Sequence, residues 1–249
     1  MITVNDLGLE PRLFPLSFAL NPGEKVHIIG PNGSGKSTLL NGLAGLLPVS
    51  GSIILDGQPL LKSGIEQQAR LRAFLTQSDR PGFHIQVHQY LQLSRLDTEN
   101  EDEFHRVVTY LTERLSLADK LGHSILHLSG GEWQRVRLAG ICLQIWPTLN
   151  PQAKLLLLDE PAAALDVGQE RLLYQLVDEV AEFGVSVVMA NHDLNRTLHH
   201  ADKVLLLKQG KVSAFGRVEE VINETLISEV FDTKVQLVKL GWRTHLIFD

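Results

Sequence analysis

The stretch GPNGSGKS, Gly30–Ser37, places glycines, a lysine and a hydroxyl at the G-x-x-x-x-G-K-[ST] spacing of a phosphate-binding loop. Glycine lets successive backbone N–H groups wrap a phosphate chain, so Gly30, Pro31, Asn32, Gly33, Ser34 and Gly35 are expected to form the cradle. Lys36 is expected to reach the β- and γ-oxygens, Ser37 to offer its hydroxyl to Mg²⁺, and Thr38 to stand beside it. Further along, LLLLDEP ends an apolar run in two carboxylates, Asp159 and Glu160. Asp159 suits a Mg²⁺ ligand, directly or through water, and Glu160 suits a group that polarises an attacking water. His192 follows another apolar run, VSVVMA, and is expected to emerge at the same sheet edge, within reach of a γ-phosphate. A second backbone-rich feature is LSGGE, Leu128–Glu132. Ser129 as N-cap with Glu132 three residues on makes a capping box, yet that cap has no need of Gly130 and Gly131. Glycine weakens a helix and is useful mainly where another group must approach the backbone, and a bare helix start suits phosphate.

Elements must position these residues. Ile2–Leu9 and Phe18–Leu20 read as strands, and Val26–Gly30 as a buried strand running into the glycine-rich loop and a helix from Lys36. SIILDGQPL reads as a strand and turn, and Arg72–Gln77 as a short strand followed by the loop SDRPGF. Between Gln86 and Trp146 the pattern becomes helical, with Phe104, Val107, Val108, Leu111 and Leu115 at helical spacing. Leu155–Asp159 has the continuous apolar character of a buried parallel strand. A helix comes next with Leu172, Leu173, Leu176, Val177, Val180 and Phe183 on one face, and VSVVMANH and KVLLLKQGKVSAFG add strands. Strands alternating with helices imply a parallel sheet covered on both faces.

With 249 residues the chain can bury a large core without disulfides. Its single cysteine, Cys142, falls among apolar residues and reads as a small buried hydrophobe in a reducing compartment. The start MITVNDLGLEPR lacks a basic region followed by an apolar core, and no stretch approaches the roughly 18 apolar residues that span a bilayer; the expectation is a soluble, unexported chain. The net charge of −6 argues against a broad nucleic-acid footprint. His84 and His88 stand at helical i, i+4 spacing without a third metal ligand nearby, and they read as surface histidines, as do His199 and His200.

GPNGSGKS, Gln77 of LTQ, LSGGE, LLLLDEP, the ALD at Ala164–Asp166 and Asn191–His192 occur in the order and spacing of ABC-transporter nucleotide-binding domains, and the chain resembles that family over essentially its whole length. The resemblance implies a P-loop NTPase α/β core with a mostly parallel sheet, an antiparallel β part at the N-terminus and an inserted helical subdomain. It would make residues 1–249 a single domain, with a core of about 1–80 and 150–249 and a helical part of about 81–149. It also implies ATP hydrolysis with Mg²⁺ held by Ser37, Gln77 and Asp159. Two copies would pair head to tail, so that Ser129, Gly130 and Gly131 of one cap the ATP in the other's loop while Asp166 reaches across. Gln77 would sense Mg²⁺ and the γ-phosphate and relay closure to a membrane partner. The implied partners are a second copy of the chain, two integral permease subunits and, indirectly, a periplasmic substrate-binding protein, with no nucleic acid. The implied location is peripheral, on the cytoplasmic face of the inner membrane.

One departure from the family concerns adenine, usually stacked on an aromatic residue just after the first strand. This chain offers Pro11 and Arg12 there, with Phe14 assigned to the next element; the Arg12 guanidinium is one plane available for stacking, and weak base discrimination is expected. Within the family, GEWQRVRLAG and LQIWPTLNPQAKLLLLDEP, with added residues before the aspartate strand, are similar to the cassettes of cobalamin importers. An iron–siderophore or haem importer is the nearest alternative. A soluble ABC ATPase of DNA repair or translation is an alternative of another class, but it would carry a long coiled-coil insertion or tandem cassettes. A non-catalytic subunit is disfavoured because Lys36, Asp159, Glu160 and His192 are all present.

Overall fold

The computed structural model describes residues 1–77, 82–96, 100–241 and 243–248. Residues 78–81 of the expected loop SDRPGF lie outside them. The chain divides into two compact units, Met1–Ser63 with Ser186–Asp249, and Gly64–Val185.

The first unit opens with β1 (Ile2–Leu9) and β2 (Leu13–Leu20), an antiparallel pair. From Leu16 on, burial in β2 alternates, with Leu16, Phe18 and Leu20 inward, the period-two pattern of a strand with one wet face. It is longer than the Phe18–Leu20 expected, because Pro15 interrupts the sequence signal without breaking a sheet-edge strand. Next come β3 (Lys25–Ile29), α1 (Lys36–Leu43), β4 (Ser50–Leu55) and the short β5 (Gln58–Pro59). An antiparallel sheet of order β2-β1-β4-β5 is thereby completed.

The second unit holds α2 (Ile65–Leu71), β6 (Arg72–Leu75), α3 (Val87–Gln92), α4 (Glu101–Arg114), α5 (Gly130–Ile145), β7 (Leu155–Asp159) and α6 (Val167–Glu182). Strands β6 and β7 pair in parallel, Leu75 opposite Leu158. Helix α4 starts at Asn100, whose side chain accepts from the Asp102 N–H, and its acidic first turn complements the helix dipole. Helix α5 is buried almost all round, packed by α3, α4, α6 and β6, and it contains Cys142, 1% exposed as expected. Short α2 escaped the sequence reading because only Leu71 of its seven residues is buried, which leaves no apolar period to see.

The chain returns to the first unit with β8 (Ser186–Ala190), α7 (Leu194–His200), β9 (Lys203–Lys208), β10 (Lys211–Arg217), α8 (Val218–Val221), α9 (Glu224–Phe231), β11 (Val235–Leu240) and β12 (Arg243–Phe248). Strand β3 pairs in parallel with β8 on one side and β9 on the other, and β10 adds antiparallel to β9. In β3, β8 and β9 the apolar residues are continuous because both faces are covered. The terminal hairpin β11–β12, unforeseen in sequence, sends Val235 and Leu246 into a core with Ile29, Leu206, Ile227 and Val230. The α/β class with mostly parallel pairing, an antiparallel N-terminal part and helical material inserted within the chain is as the resemblance implied.

One buried group makes this unit pH-sensitive. His27, in β3, is 1% exposed, and its Nδ1 lies 3.1 Å from Thr197 Oγ1. Burial first, then repulsion from His200 and Lys25, push its pKa from 6.5 down to about 3. The fold therefore favours the neutral ring. The stability this contributes is present above pH 6.5 and is lost as pH falls from 6.5 through about 3. Urea unfolding of the native chain should show stability falling on acidification in this window, at up to about 1.4 kcal/mol per pH unit for one proton. His27→Gln should flatten that slope, and an unchanged slope would remove His27 as its source.

Candidate nucleotide-binding site

In the first unit, β3 runs directly into the glycine-rich loop. Gly30 has φ +149°, and a Cβ there would fall 2.1 Å from the Leu207 carbonyl oxygen, so no larger residue fits. Pro31 accepts from the Ser34 N–H at 3.1 Å, which closes the turn around Asn32 and Gly33. Gly35 is the N-cap of α1, and Lys36, Ser37 and Thr38 form its first turn, which carries no acidic residue. The Lys36 ammonium folds back over the loop and donates to the carbonyls of Gly30 (2.8 Å) and Pro31 (3.2 Å). Ser34 is buried, and its Oγ has no hydrogen-bond partner among the described residues. Loop amides, the helix N-terminus, a lysine and an unused hydroxyl together fit a phosphate chain.

Because β8 lies beside β3 in parallel register, Ile28 opposite Ala190, the residues after β8 emerge at the same edge as the loop. Asn191 is buried there, its N–H bonded to the Ile28 carbonyl, and exposed His192 comes next. Asp193 then caps α7. Arg12 is exposed in the turn before β2, and its carbonyl oxygen would lie 3.1 Å from a Cβ on Gly35, so its backbone abuts the loop. Phe14 belongs to β2, as expected, and its ring is occupied by Lys211 Nζ at 4.8 Å.

In the second unit, the Leu75–Leu158 register brings the residues after β6 and β7 together. Asp159 ends β7 and is 3% exposed. Glu160 comes next at φ +49°, a left-handed conformation that costs a side-chain-bearing residue on the order of 1–2 kcal/mol and recurs at functional sites. Gln77 Nε2 donates to Glu160 Oε2 at 2.9 Å. Two residues 83 apart in sequence thus meet through the pairing of two short strands.

The LSGGE start of α5 is a full capping box. Glu132 N–H donates to Ser129 Oγ (3.2 Å) and Ser129 N–H to Glu132 Oε2 (2.8 Å). That backbone donor, then the Ser129 side chain and Lys120, hold the Glu132 pKa down at about 2. The two glycines differ. A Cβ on Gly131 would meet Gln169 Oε1 at 2.5 Å and the Ala164 carbonyl oxygen at 3.1 Å, so Gly131 serves packing within this chain. Gly130 is exposed, with only the Ala164 Cβ at 3.8 Å from an added Cβ, which leaves its backbone open to an incoming group. Asp166 is the N-cap of α6, accepting from the Gln169 N–H at 2.9 Å, and is exposed. His84 precedes α3 rather than sharing it with His88, so the helical metal-ligand spacing is not realised; both are exposed. Sequence reading passed over Gln134 and Arg137, both buried, because together with Glu132 and Arg135 they read as the polar face of a helix start, and only packing makes them interior.

Glycine-rich loop, paired strand-end carboxylates and glycine-started helix define an ATP-binding cassette. The ABC transporter family profile matches residues 13–163, and the chain belongs to that family. It is 51% identical to the Vitamin B12 import ATP-binding protein BtuD of Vibrio campbellii, over 100% of both chains. It is 47% identical to the protein of the same name from Photobacterium profundum, over 100% of this chain and 99% of that one. Among solved structures, an ATP-binding subunit of an ABC transporter superposes with a TM-score of 0.81 at 25% identity, covering 93% of this chain and 98% of its own. The cbiO1 protein of Clostridium perfringens, part of the ABC transporter complex cbiONQ, gives a TM-score of 0.75 at 28% identity over 92% of each chain.

The unequal glycines are separable by experiment. Gly131→Ala should destabilise the chain by about 1 kcal/mol or more through its contact with the Ala164 carbonyl. Gly130→Ala should leave stability unchanged or raise it by up to about 1 kcal/mol, while slowing ATP hydrolysis. Denaturant midpoints and ATPase rates on both variants check this; equal loss of stability in the two would refute the distinction.

Proposed function

We propose that the chain is the ATP-hydrolysing subunit of a vitamin B12 (cobalamin) importer, working as a head-to-tail homodimer at the cytoplasmic face of the inner membrane against two permease subunits, with a periplasmic binding protein acting indirectly. The observation that carries the catalytic part is Glu160, held in a left-handed turn beside the buried carboxylate of Asp159 and hydrogen-bonded to Gln77. The cargo is supported by identity near 50% along the full length of relatives named for vitamin B12 import.

Each residue has a task in this reading. Loop amides from Gly30 to Gly35 and the Lys36 ammonium bind the phosphates of ATP and offset the charge that builds on the β–γ bridge and γ-oxygens. Glu160 orients and polarises the attacking water, and His192 donates to the γ-phosphate region from the edge it shares with the loop. Ser37, Asp159 and Gln77 are the residues suited to Mg²⁺, which when bound neutralises β- and γ-oxygens. No group of three or more His, Cys, Asp or Glu among the described residues is assembled to hold a metal. Mg²⁺ held largely by phosphate and water needs none. Ser129, with the backbone of Gly130 and Gly131, completes the γ-phosphate site of the second copy, and exposed Asp166, at the start of α6, reaches across to it. No helix among the described residues is long and apolar enough to cross a membrane, so the permease supplies the attachment. Closure of the dimer on ATP then favours one permease conformation over the other, and cargo moves because the two states bind nucleotide with different affinity.

Glu160→Gln should retain ATP binding and lose at least about 100-fold in turnover, a cost of the size seen when a catalytic group is removed. A strain carrying it should not grow where growth depends on trace cobalamin, yet should grow on siderophore iron. Near-native turnover would overturn the role of Glu160. The reverse growth pattern would move the cargo to an iron chelate.

A further inference from the structure

Arg137 and Gln134 lie on one face of α5, three residues apart, and are 5% and 9% exposed. A buried guanidinium is costly unless its donors are used. Arg137 Nη2 donates to the Thr76 carbonyl oxygen at 2.7 Å and to Thr76 Oγ1 at 3.2 Å, while Nη1 donates to Gln134 Oε1 at 3.1 Å. Gln134 Nε2 in turn donates to the Pro161 carbonyl oxygen at 2.9 Å. Thr76 precedes Gln77 and Pro161 follows Glu160, and Gln77 donates to Glu160 at 2.9 Å. The bonds close a ring: Gln77, Glu160, Pro161, Gln134, Arg137, Thr76 and back to Gln77.

We propose that Arg137, acting through Gln134, is a positioning residue for ATP hydrolysis that sets the Gln77–Glu160 contact and ties it to helix α5. This rests on the functional reading above. The strand pairing of β6 and β7 locates both loops from one side, and the Arg137–Gln134 strut locates them from the other. A single side chain must span a carbonyl, a hydroxyl and an amide oxygen, which the planar fork of arginine does and the single ammonium of lysine does not. The strut also stands on the helix that begins at the LSGGE glycines. Gln134 and Arg137 are four and seven residues beyond Gly130, roughly 6 and 10 Å along the axis at about 1.5 Å per residue. A displacement of α5 by phosphate at its N-terminus therefore reaches both loops of the hydrolytic pair through this strut.

The test uses the full-length chain in its solubilised membrane complex and as the isolated chain. Arg137→Met and Gln134→Leu should each lower kcat by about tenfold or more while the ATP KM stays within about twofold, since the Gly30–Ser37 loop is untouched. The double variant should be no slower than the worse single, because both break one ring. Arg137→Lys, able to reach the Thr76 carbonyl alone, should recover part of the kcat lost in Arg137→Met. If Arg137→Met does not fold, Arg137→Lys and Gln134→Leu decide by the same criteria. Native kcat in folded variants, or a KM that rises in step with the loss, would overturn the proposal. A parallel Glu160→Gln separates the two failures: turnover surviving there overturns the functional reading, whereas an inactive Glu160→Gln beside a fully active Gln134→Leu overturns only the strut.

Discussion

Strands of four or five residues hold no structure alone, and β3, β6, β7 and β8 persist because each has a parallel neighbour and apolar cover. Parallel pairing has a consequence that antiparallel pairing lacks: the segments leaving two neighbouring strands depart from the same edge. In one unit this places Asn191–His192 beside the end of β3, where the glycine-rich loop begins. In the other it places Gln77 beside Glu160. A slip of one residue in either ladder would exchange the faces on which the side chains pack and shift one strand end along the edge, so register also sets which polar residues meet there.

Helix α5 imposes the second constraint. Its glycine start gives Gly131 room against the Ala164 carbonyl and leaves Gly130 open, so one dipeptide serves both internal packing and an accessible backbone. Further along, burial on all sides removes water as a partner for Gln134, Arg135 and Arg137. Arg135 turns to the carbonyls of Leu115 and Ser116, and Arg137 and Gln134 turn to the loops after β6 and β7. Interior polar groups bind whatever acceptors the surrounding loops leave unused. Here those acceptors flank Gln77 and Glu160. The strain at Glu160 is consistent with that setting, because a left-handed non-glycine residue persists only where its neighbours over-determine it.

Much was legible from residue type and spacing because the chemistry is local. The run Gly30–Ser37 needs glycines and a lysine within one turn, and LLLLD needs apolar residues without interruption, so both state their structure in a few letters. The capping box at Ser129 and Glu132 is legible for the same reason, since both partners lie within one helical turn. Less legible were elements whose stability comes from distant contact. The hairpin β11–β12 shows little alternation, and Leu246 is buried because β12 packs on α7 and joins a core with Leu206, Ile227 and Val230. Phe14 could be separated from the first strand and its turn by sequence, but not its capture by Lys211, which arrives from the β9–β10 hairpin.

By itself, then, the sequence determined the class of the chain, its phosphate loop, its acidic strand end and its glycine-started helix, because each is written within one element whose form is dictated by short-range sterics and hydrogen bonding. Tertiary structure decided what crosses between elements: that Gln77 meets Glu160, that Gly131 is taken by packing while Gly130 is not, and that Arg137 joins Thr76 to Gln134. These depend on strand register and on which side of a buried helix each loop passes. Both are settled by the packing of the whole unit, and residues far apart along the chain carry no local mark of the contact they will make.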